Sequence, residues 1–556
     1  MNRLRFTGLL FIFSFLLIWV KLFYLQVVKQ DILATQAQGQ YTSEYSVFPT
    51  RGKILANDNS VIATNQPAYL LFAETEKLPI DREYIFKIAK LLDVEEASIA
   101  AAFNTDKTWV PIIREVTSEQ KVELEELEIT GLGFEQENVR FYPEGSASAQ
   151  LLGFVGRDLN GEPKGYFGIE GYYNEILTGK PGFVRAEKDA LGVPIPIGSQ
   201  KRIEAIQGAD LVLNIDVGIQ NAVEQHLKRG IERYEATAGA VIVMRPKTGA
   251  IVAMSAYPSY DQRRYSDYDT TLYKNPVVAD TFEPGSTFKV LTMAAAINEK
   301  VVKPSTTYIE NGPVTVQGYQ IRTWNDEYGG KMNMTQVLER SSNVGMVFVS
   351  KRLGIEPFYK YIREFGFGAL TGIDLQEEVS PSLRKRDSWK EINLATSSFG
   401  QGIAVTPIQL IRATATIANE GVLVVPRVAD SVRFEDDRVI NLMPDTKKQV
   451  ISAAAASVVT EMMVSVVDNG DARWAKPKGF RIAGKTGTAQ IPVEGRYDPD
   501  RTIASFIGFA PAEDPEFIML VILREPKSSP WGSETAAPLF FDISRDIFAY
   551  LNVSPN

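Results

Sequence analysis

The sequence predicts an α/β protein in three parts: one membrane-spanning N-terminal helix, a mixed α+β segment, and a larger α/β unit that fills the rest of the chain. Three observations predict it. Residues 1–30 hold an almost unbroken apolar run, residues 31–208 mix short β-like runs with acidic helical ones, and residues 209–556 alternate strand-like and helical patterns. A chain of 556 residues is also too long for a single core.

The span comes first. Thr7 to Val20 are nearly all apolar, and the run resumes after Lys21 through Leu22 to Val28. Together they reach across a bilayer core of roughly 30 Å at about 1.5 Å per residue. Lys21 is tolerated at the outer interface, where its stem snorkels beside an aromatic belt of Trp19 and Tyr24. Arg3 and Arg5 precede the run, so the N-terminus is expected in the cytoplasm and all later residues outside. The competing reading is a cleaved signal peptide, with Thr35-Gln-Ala37 as a weak and distant cleavage site.

The middle segment contains β-like runs such as Tyr69-Leu-Leu-Phe-Ala73 and helical ones such as Glu119 to Leu127, with no nucleotide loop, metal cluster or repeat. The last unit opens at Ala209-Asp-Leu-Val-Leu-Asn-Ile-Asp216, a strand that runs into an amphipathic helix through Ile219, Val223 and Leu227. Strands at Gly239–Arg245 and Ala250–Met254 follow.

Composition excludes several functions. With 59 basic against 68 acidic side chains the net charge is -9, which repels nucleic acid. The absence of cysteine removes disulfides, thiolate nucleophiles and zinc–cysteine sites. The single histidine, His226, reads as a solvated helix position, so neither a three-histidine metal site nor a serine–histidine triad is expected.

The chemistry concentrates in three places. In Thr281-Phe-Glu-Pro-Gly-Ser286-Thr-Phe-Lys289, a Pro-Gly turn leads into a helix whose continuation, Val290 to Ile297, is apolar and alanine-rich, hence buried. Three residues on, Lys289 shares a helix face with Ser286, where a desolvated amine can lose its charge and act as base. The helix N-terminus offers oriented N–H groups to an oxyanion. The spacing alone is weak, because Ser118-Glu-Gln-Lys121 and Ser382-Leu-Arg-Lys385 match it without the turn or the buried helix. The second place is Glu339-Arg-Ser341-Ser-Asn343-Val-Gly345, where one helix breaks and another begins near Asn343; ordinary capping gives the same pattern. The third is Arg481-Ile-Ala-Gly-Lys485-Thr486-Gly487-Thr488, a strand bearing a cation and two hydroxyls beside a glycine that lets a ligand approach the backbone. Lys247-Thr-Gly249 repeats its tripeptide but reads as a hairpin turn.

Taken in order, Ser-x-x-Lys, Ser-x-Asn and Lys-Thr-Gly-Thr resemble the motif set of penicillin-recognising serine acyl-transferases. The chain also resembles class B penicillin-binding proteins at Arg51-Gly-Lys-Ile54, Arg140-Phe-Tyr-Pro-Glu-Gly145, Gly168-Ile-Glu-Gly171, Ser398 to Pro407 and Ser505 to Pro511. It departs at Ala56, where that family commonly has aspartate, and at Gly470-Asp-Ala472, in place of a commoner Gly-Thr-Gly.

The resemblance implies a transpeptidase domain over 209–556, an antiparallel sheet flanked by helices, on a non-catalytic pedestal over 31–208. It implies a bacterial inner-membrane enzyme that cross-links peptidoglycan stem peptides in wall synthesis for division or cell shape, division being favoured by the modest length, and that β-lactams acylate. Ser286 is then the nucleophile, Lys289 the base and Ser341 the proton relay to the leaving group. Asn343 holds the substrate amide, and Lys485 orients Ser341 and supplies positive potential. Thr486, Gly487 and Thr488 line the carboxylate site, and the backbone N–H groups of Ser286 and Thr488 form the oxyanion hole. No cofactor or metal is required; a polytopic glycan polymerase and other division or elongation proteins are the expected partners. The rivals are a D,D-carboxypeptidase or β-lactam hydrolase, which would use water as acceptor, and a non-catalytic scaffold or β-lactam sensor.

Overall fold

The computed structural model describes residues 2–33, 42–78, 82–104, 107–143, 148–187, 200–443, 447–493 and 496–555. The weak cleavage site at Thr35–Ala37 and the Glu144-Gly145 end of one quoted motif lie outside them. The chain divides into two compact units, residues 1–51 with 178–208 and residues 52–177 with 209–556.

In the first unit an apolar helix covers Asn2–Phe23 and continues as a π-helical turn over Tyr24–Val28. Its segment Arg3–Val28 has no buried residue and is long and apolar enough to cross a membrane. Lys21 lies 6.0 Å and Lys29 5.4 Å from the Tyr24 ring centre, so the cations and the ring cluster at one end. Strands Thr42–Val47, Gly182–Glu187 and Gln200–Ile203 form an antiparallel sheet in the same unit.

The second unit is built on a five-stranded antiparallel sheet in the order Ile251–Tyr257, Ala238–Met244, Phe517–Arg524, Arg496–Ala510 and Ala483–Val493. Both faces are covered, which is why Ala238–Met244, Ile251–Tyr257 and Phe517–Arg524 are almost wholly apolar rather than alternating. Ala240, Ile242, Ile518, Leu520 and Ile522 pack on one face, with Val290, Leu291 and Ala294 of the helix Lys289–Asn298. Val241, Val243, Met519 and Val521 pack on the other, against Ile219, Val223 and Leu227 of helix Val217–Tyr234 and Leu539, Phe540 and Ile547 of helix Ala536–Tyr550. Asp216 caps the first of these helices, its Oδ1 accepting from Ile219 N at 3.1 Å. Gly249, with φ of 77°, closes the expected hairpin between the first two strands.

A second sheet joins segments that the sequence separates by hundreds of residues. Asp210–Leu213 pairs in parallel with Ile54–Leu55 and antiparallel with Ala429–Arg433, and the sheet continues through the long strand Val61–Glu74 to Trp109–Val116. Leu132–Phe141 pairs with the other edge of that long strand. Arg140 ties the motifs of this region together: Nε donates to Glu170 Oε1 at 2.6 Å and Nη1 to Gly52 O at 2.8 Å. Ala56, fully buried, occupies a turn closed by its N–H on Ser60 O at 2.9 Å and by Asp58 Oδ1 accepting from Ser60 N at 2.9 Å, so the missing aspartate leaves the turn intact.

His226 lies on its expected helix but is not solvated. Its ring is only 16% exposed and Nε2 pairs with Asp546 Oδ2 at 2.8 Å, because the C-terminal helix packs alongside.

Candidate active site

Pro284 and Gly285 turn the chain into Ser286. Gly285 has φ of 56°, and a Cβ there would sit 3.0 Å from Thr488 O, so the turn admits no side chain. A short 3-10 helix, Gly285–Phe288, precedes the α-helix Lys289–Asn298. A 3-10 turn eclipses residues i and i+3, which puts Ser286 and Lys289 on one face. Ser286 is half-buried and lines a cleft, whereas Lys289 is fully buried. The two decoys differ in this respect. Lys121 is partly exposed and pairs with Glu125 at 2.7 Å, and residues 382–385 form no helix.

Helices Met334–Glu339 and Asn343–Leu353 break at the second motif, as expected. Ser341 sits at φ of 53°, a left-handed conformation uncommon for a residue with a Cβ. Both of its oxygens meet Lys289, whose Nζ donates to Ser341 O at 2.5 Å and to Oγ at 3.2 Å. Asn343 Nδ2 donates to Arg322 O at 3.0 Å, which leaves Oδ1 as its acceptor at the cleft wall.

Ala483–Val493 is the edge strand of the main sheet. Its period of two puts Thr486, Thr488 and Gln490 on the cleft wall and buries Lys485 beneath. Thr488 Oγ1 accepts from Gly532 N at 3.0 Å.

Two contacts bear on the expected roles. A Cβ on Gly487 would lie 2.3 Å from Ser505 Oγ and 2.8 Å from Thr287 Cγ2, so protein packing against the Ser286 turn also requires the glycine. Lys485 makes no hydrogen bond to Ser341. Its Nζ donates to Thr486 O at 3.2 Å and Oγ1 at 3.1 Å, and the orienting contact on Ser341 comes from Lys289.

Burial drives the electrostatics. Desolvation, reinforced by the like charge of Lys485 and opposed by Glu310, holds the Lys289 amine well below the ordinary lysine value of 10.5. Desolvation pushes Lys485 down to about 8, with Asp471 opposing it. The cleft above them encloses about 890 Å³. Sequence reading missed part of its wall: Trp324 and Trp531, whose ring centres lie 4.8 Å apart, and Asp471, which puts a carboxylate at the unusual Gly470-Asp-Ala472. No local pattern marks the tryptophans, since 206 residues lie between them. Among the described residues no group of three or more His, Cys, Asp or Glu side chains is arranged to hold a metal. A half-buried hydroxyl above a desolvated amine, beside an edge strand, suits nucleophilic acyl transfer.

Comparisons with known proteins agree with this chemistry. Residues 239–545 match the family described as "Penicillin binding protein transpeptidase domain", and residues 46–213 match "Penicillin-binding Protein dimerisation domain". The chain is 34% identical to Stage V sporulation protein D of Bacillus subtilis over all of its own length and 86% of that protein. It is 28% identical to the peptidoglycan D,D-transpeptidase FtsI of Escherichia coli K12, covering 96% of this chain and 89% of the relative. Its fold matches the crystal structure of penicillin binding protein 3 from Mycobacterium tuberculosis in complex with aztreonam, with a TM-score of 0.72 and 25% identity, over 92% of this chain and 98% of that one.

Proposed function

The chain belongs to the penicillin-binding transpeptidase family, whose members are peptidoglycan D,D-transpeptidases of cell wall synthesis, and from that premise we propose that Ser286 is its acylated nucleophile. The observation that carries the reading is Lys289, buried on the face of the Ser286 turn with its amine desolvated.

Neutral Lys289 takes the proton of Ser286 as Oγ attacks the carbonyl carbon between the two terminal D-alanines of a stem peptide. The peptide C–N bond breaks, Ser341 relays the proton taken up by Lys289 to the leaving D-alanine amine, and the acyl group stays on Ser286 as an ester. The amine of a second stem peptide then attacks that ester, forms the cross-link and returns the hydroxyl. The N–H groups of Ser286 and Thr488 face the developing oxyanion; losing one such donor costs roughly 10²- to 10³-fold. The unpaired edge of Ala483–Val493 suits an extended peptide added as a further strand, with Thr486 and Thr488 at its carboxylate and Asn343 Oδ1 on a substrate N–H. Lys485 contributes positive charge and fixes Thr486 rather than Ser341.

In this reading residues 1–30 anchor a single-pass protein in the inner membrane with the N-terminus inside, held there by Arg3 and Arg5. Residues 31–208 are the pedestal and 209–556 the extracytoplasmic transpeptidase. A polytopic glycan polymerase and other division proteins are its partners, and septal wall is its product. The likeness to Stage V sporulation protein D favours a second cellular reading, wall synthesis in a developing spore.

The full-length protein in detergent, given a stem peptide as donor and a second one carrying a free amine, is expected to form the cross-linked dimer. Release of free D-alanine with hydrolysed peptide and no dimer would favour a carboxypeptidase instead. Acylation by benzylpenicillin should also follow a bell in pH. It falls on the acid side as Lys289 gains a proton, and on the alkaline side near pH 8 as Lys485 loses one. A rate that keeps rising past pH 9 would remove the need for the Lys485 charge.

A further inference from the structure

Behind the Ser341–Asn343 turn lies a buried carboxylate that the chemistry above does not use. Glu310, 2% exposed, ends the strand Thr307–Glu310. Its Oε1 accepts from Ser342 Oγ at 2.8 Å and its Oε2 from Tyr308 OH at 2.8 Å. Ser342 Oγ in turn accepts from Gly345 N at 2.8 Å and lies 3.3 Å from the Tyr308 hydroxyl. A Cβ on Gly345 would stand 2.6 Å from Val337 Cγ1 and 2.9 Å from Tyr308 OH, so the close packing of this turn needs the glycine. The Tyr308 ring stacks on Phe348 of the helix that Ser342 caps, with ring centres 5.0 Å apart.

One hydroxyl thus gathers three anchors, and it belongs to the residue next to Ser341. Ser341 holds its left-handed φ only because the turn around it is fixed. Among the described residues Glu310 has no cation at ion-pair distance, although a buried carboxylate ordinarily needs one. The groups facing Lys289 are Lys485 from the edge strand, Ser341 from the helix break and Glu310 from its own strand; Asp471 acts on Lys485, and Lys331, on the strand paired with Glu310, points to solvent.

We propose that Glu310 is a positioning residue for acylation: it holds Ser342, and through it Ser341, against Lys289, and it is the buried counter-charge to Lys289. The proposal rests on Lys289 acting as base. Without the carboxylate the turn loosens, and Lys289 releases its proton more easily because Glu310 favours its charged form.

The test is the rate of benzylpenicillin acylation against pH, with melting temperature alongside, in the full-length protein. Glu310→Gln should slow acylation roughly 10- to 100-fold, the scale of a catalytic group displaced by about 1 Å. It should also move the acid limb to lower pH, because the charge that favours protonated Lys289 is gone. Glu310→Asp, Tyr308→Phe and Ser342→Ala keep the charge and should slow acylation with the limb in place. An acid limb that Glu310→Gln leaves where it was, or wild-type rates in both Tyr308→Phe and Ser342→Ala, would overturn the proposal even if Glu310→Gln fails to fold. A wild-type profile with no acid limb would overturn Lys289 as base and the proposal with it.

Discussion

Lys289→Met is expected to slow acylation by benzylpenicillin about 10²- to 10⁴-fold, the usual contribution of a general base, while raising the melting temperature of the full-length protein. The two effects share one cause. Lys289 is fully buried, and desolvation holds its folded-state value well below the 10.5 of an exposed lysine. Between those two values the unfolded chain therefore binds a proton that the folded protein does not, and folding bears the cost of losing it. That penalty is complete only below the folded-state value, shrinks as pH rises from there and is gone above 10.5, so the gain in the methionine variant should shrink the same way. Methionine matches the length of the stem, but it leaves Ser341 O without the Nζ donor now at 2.5 Å, a cost of about 1–3 kcal/mol. Melting curves at pH 6 and pH 10 separate the terms. A variant that melts lower than wild type at pH 6 would mean that the buried amine is not held neutral at a cost.

Arg140→Ala is expected to cost about 3–5 kcal/mol of stability, the range for breaking a buried ion pair from one side. Arg140 and Glu170 are 3% and 0% exposed and meet at 2.6 Å, and the same guanidinium reaches Gly52 O at 2.8 Å and Asn65 Oδ1 at 3.3 Å. Three stretches of chain depend on this one side chain. Arg140→Lys keeps a charge but not the fork, and should recover only part of the loss. Urea midpoints read the effect, and a midpoint within experimental scatter of wild type in Arg140→Ala would contradict it.

Much of the site was legible because its chemistry is local. Ser286 and Lys289 sit three residues apart, and the Pro-Gly turn with an alanine-rich continuation declared which of three Ser-x-x-Lys tetrads was buried. The helix break at Ser341 and the strand through Lys485 were equally readable from period and punctuation. What stayed hidden is non-local. Glu310 and Ser342 are 32 residues apart, and nothing in Thr307-Tyr-Ile-Glu310 distinguishes a buried carboxylate from a solvated one. Gly487 looked like a ligand glycine because the strand that crowds it, through Ser505, lies elsewhere in the sequence. His226 looked solvated because its polar neighbours are adjacent in sequence, while Asp546 arrives from the far end of the chain. The sheet that joins Ile54–Leu55, Asp210–Leu213 and Ala429–Arg433 likewise leaves no mark in any one of the three.

The identity of Ser286 as nucleophile is tested most directly by incubating the full-length protein with benzylpenicillin, measuring the intact mass and sequencing the modified peptide. The expected result is a single persistent adduct on Ser286, absent from Ser286→Ala. An adduct on any other serine, or none on a well-folded protein, would contradict the account.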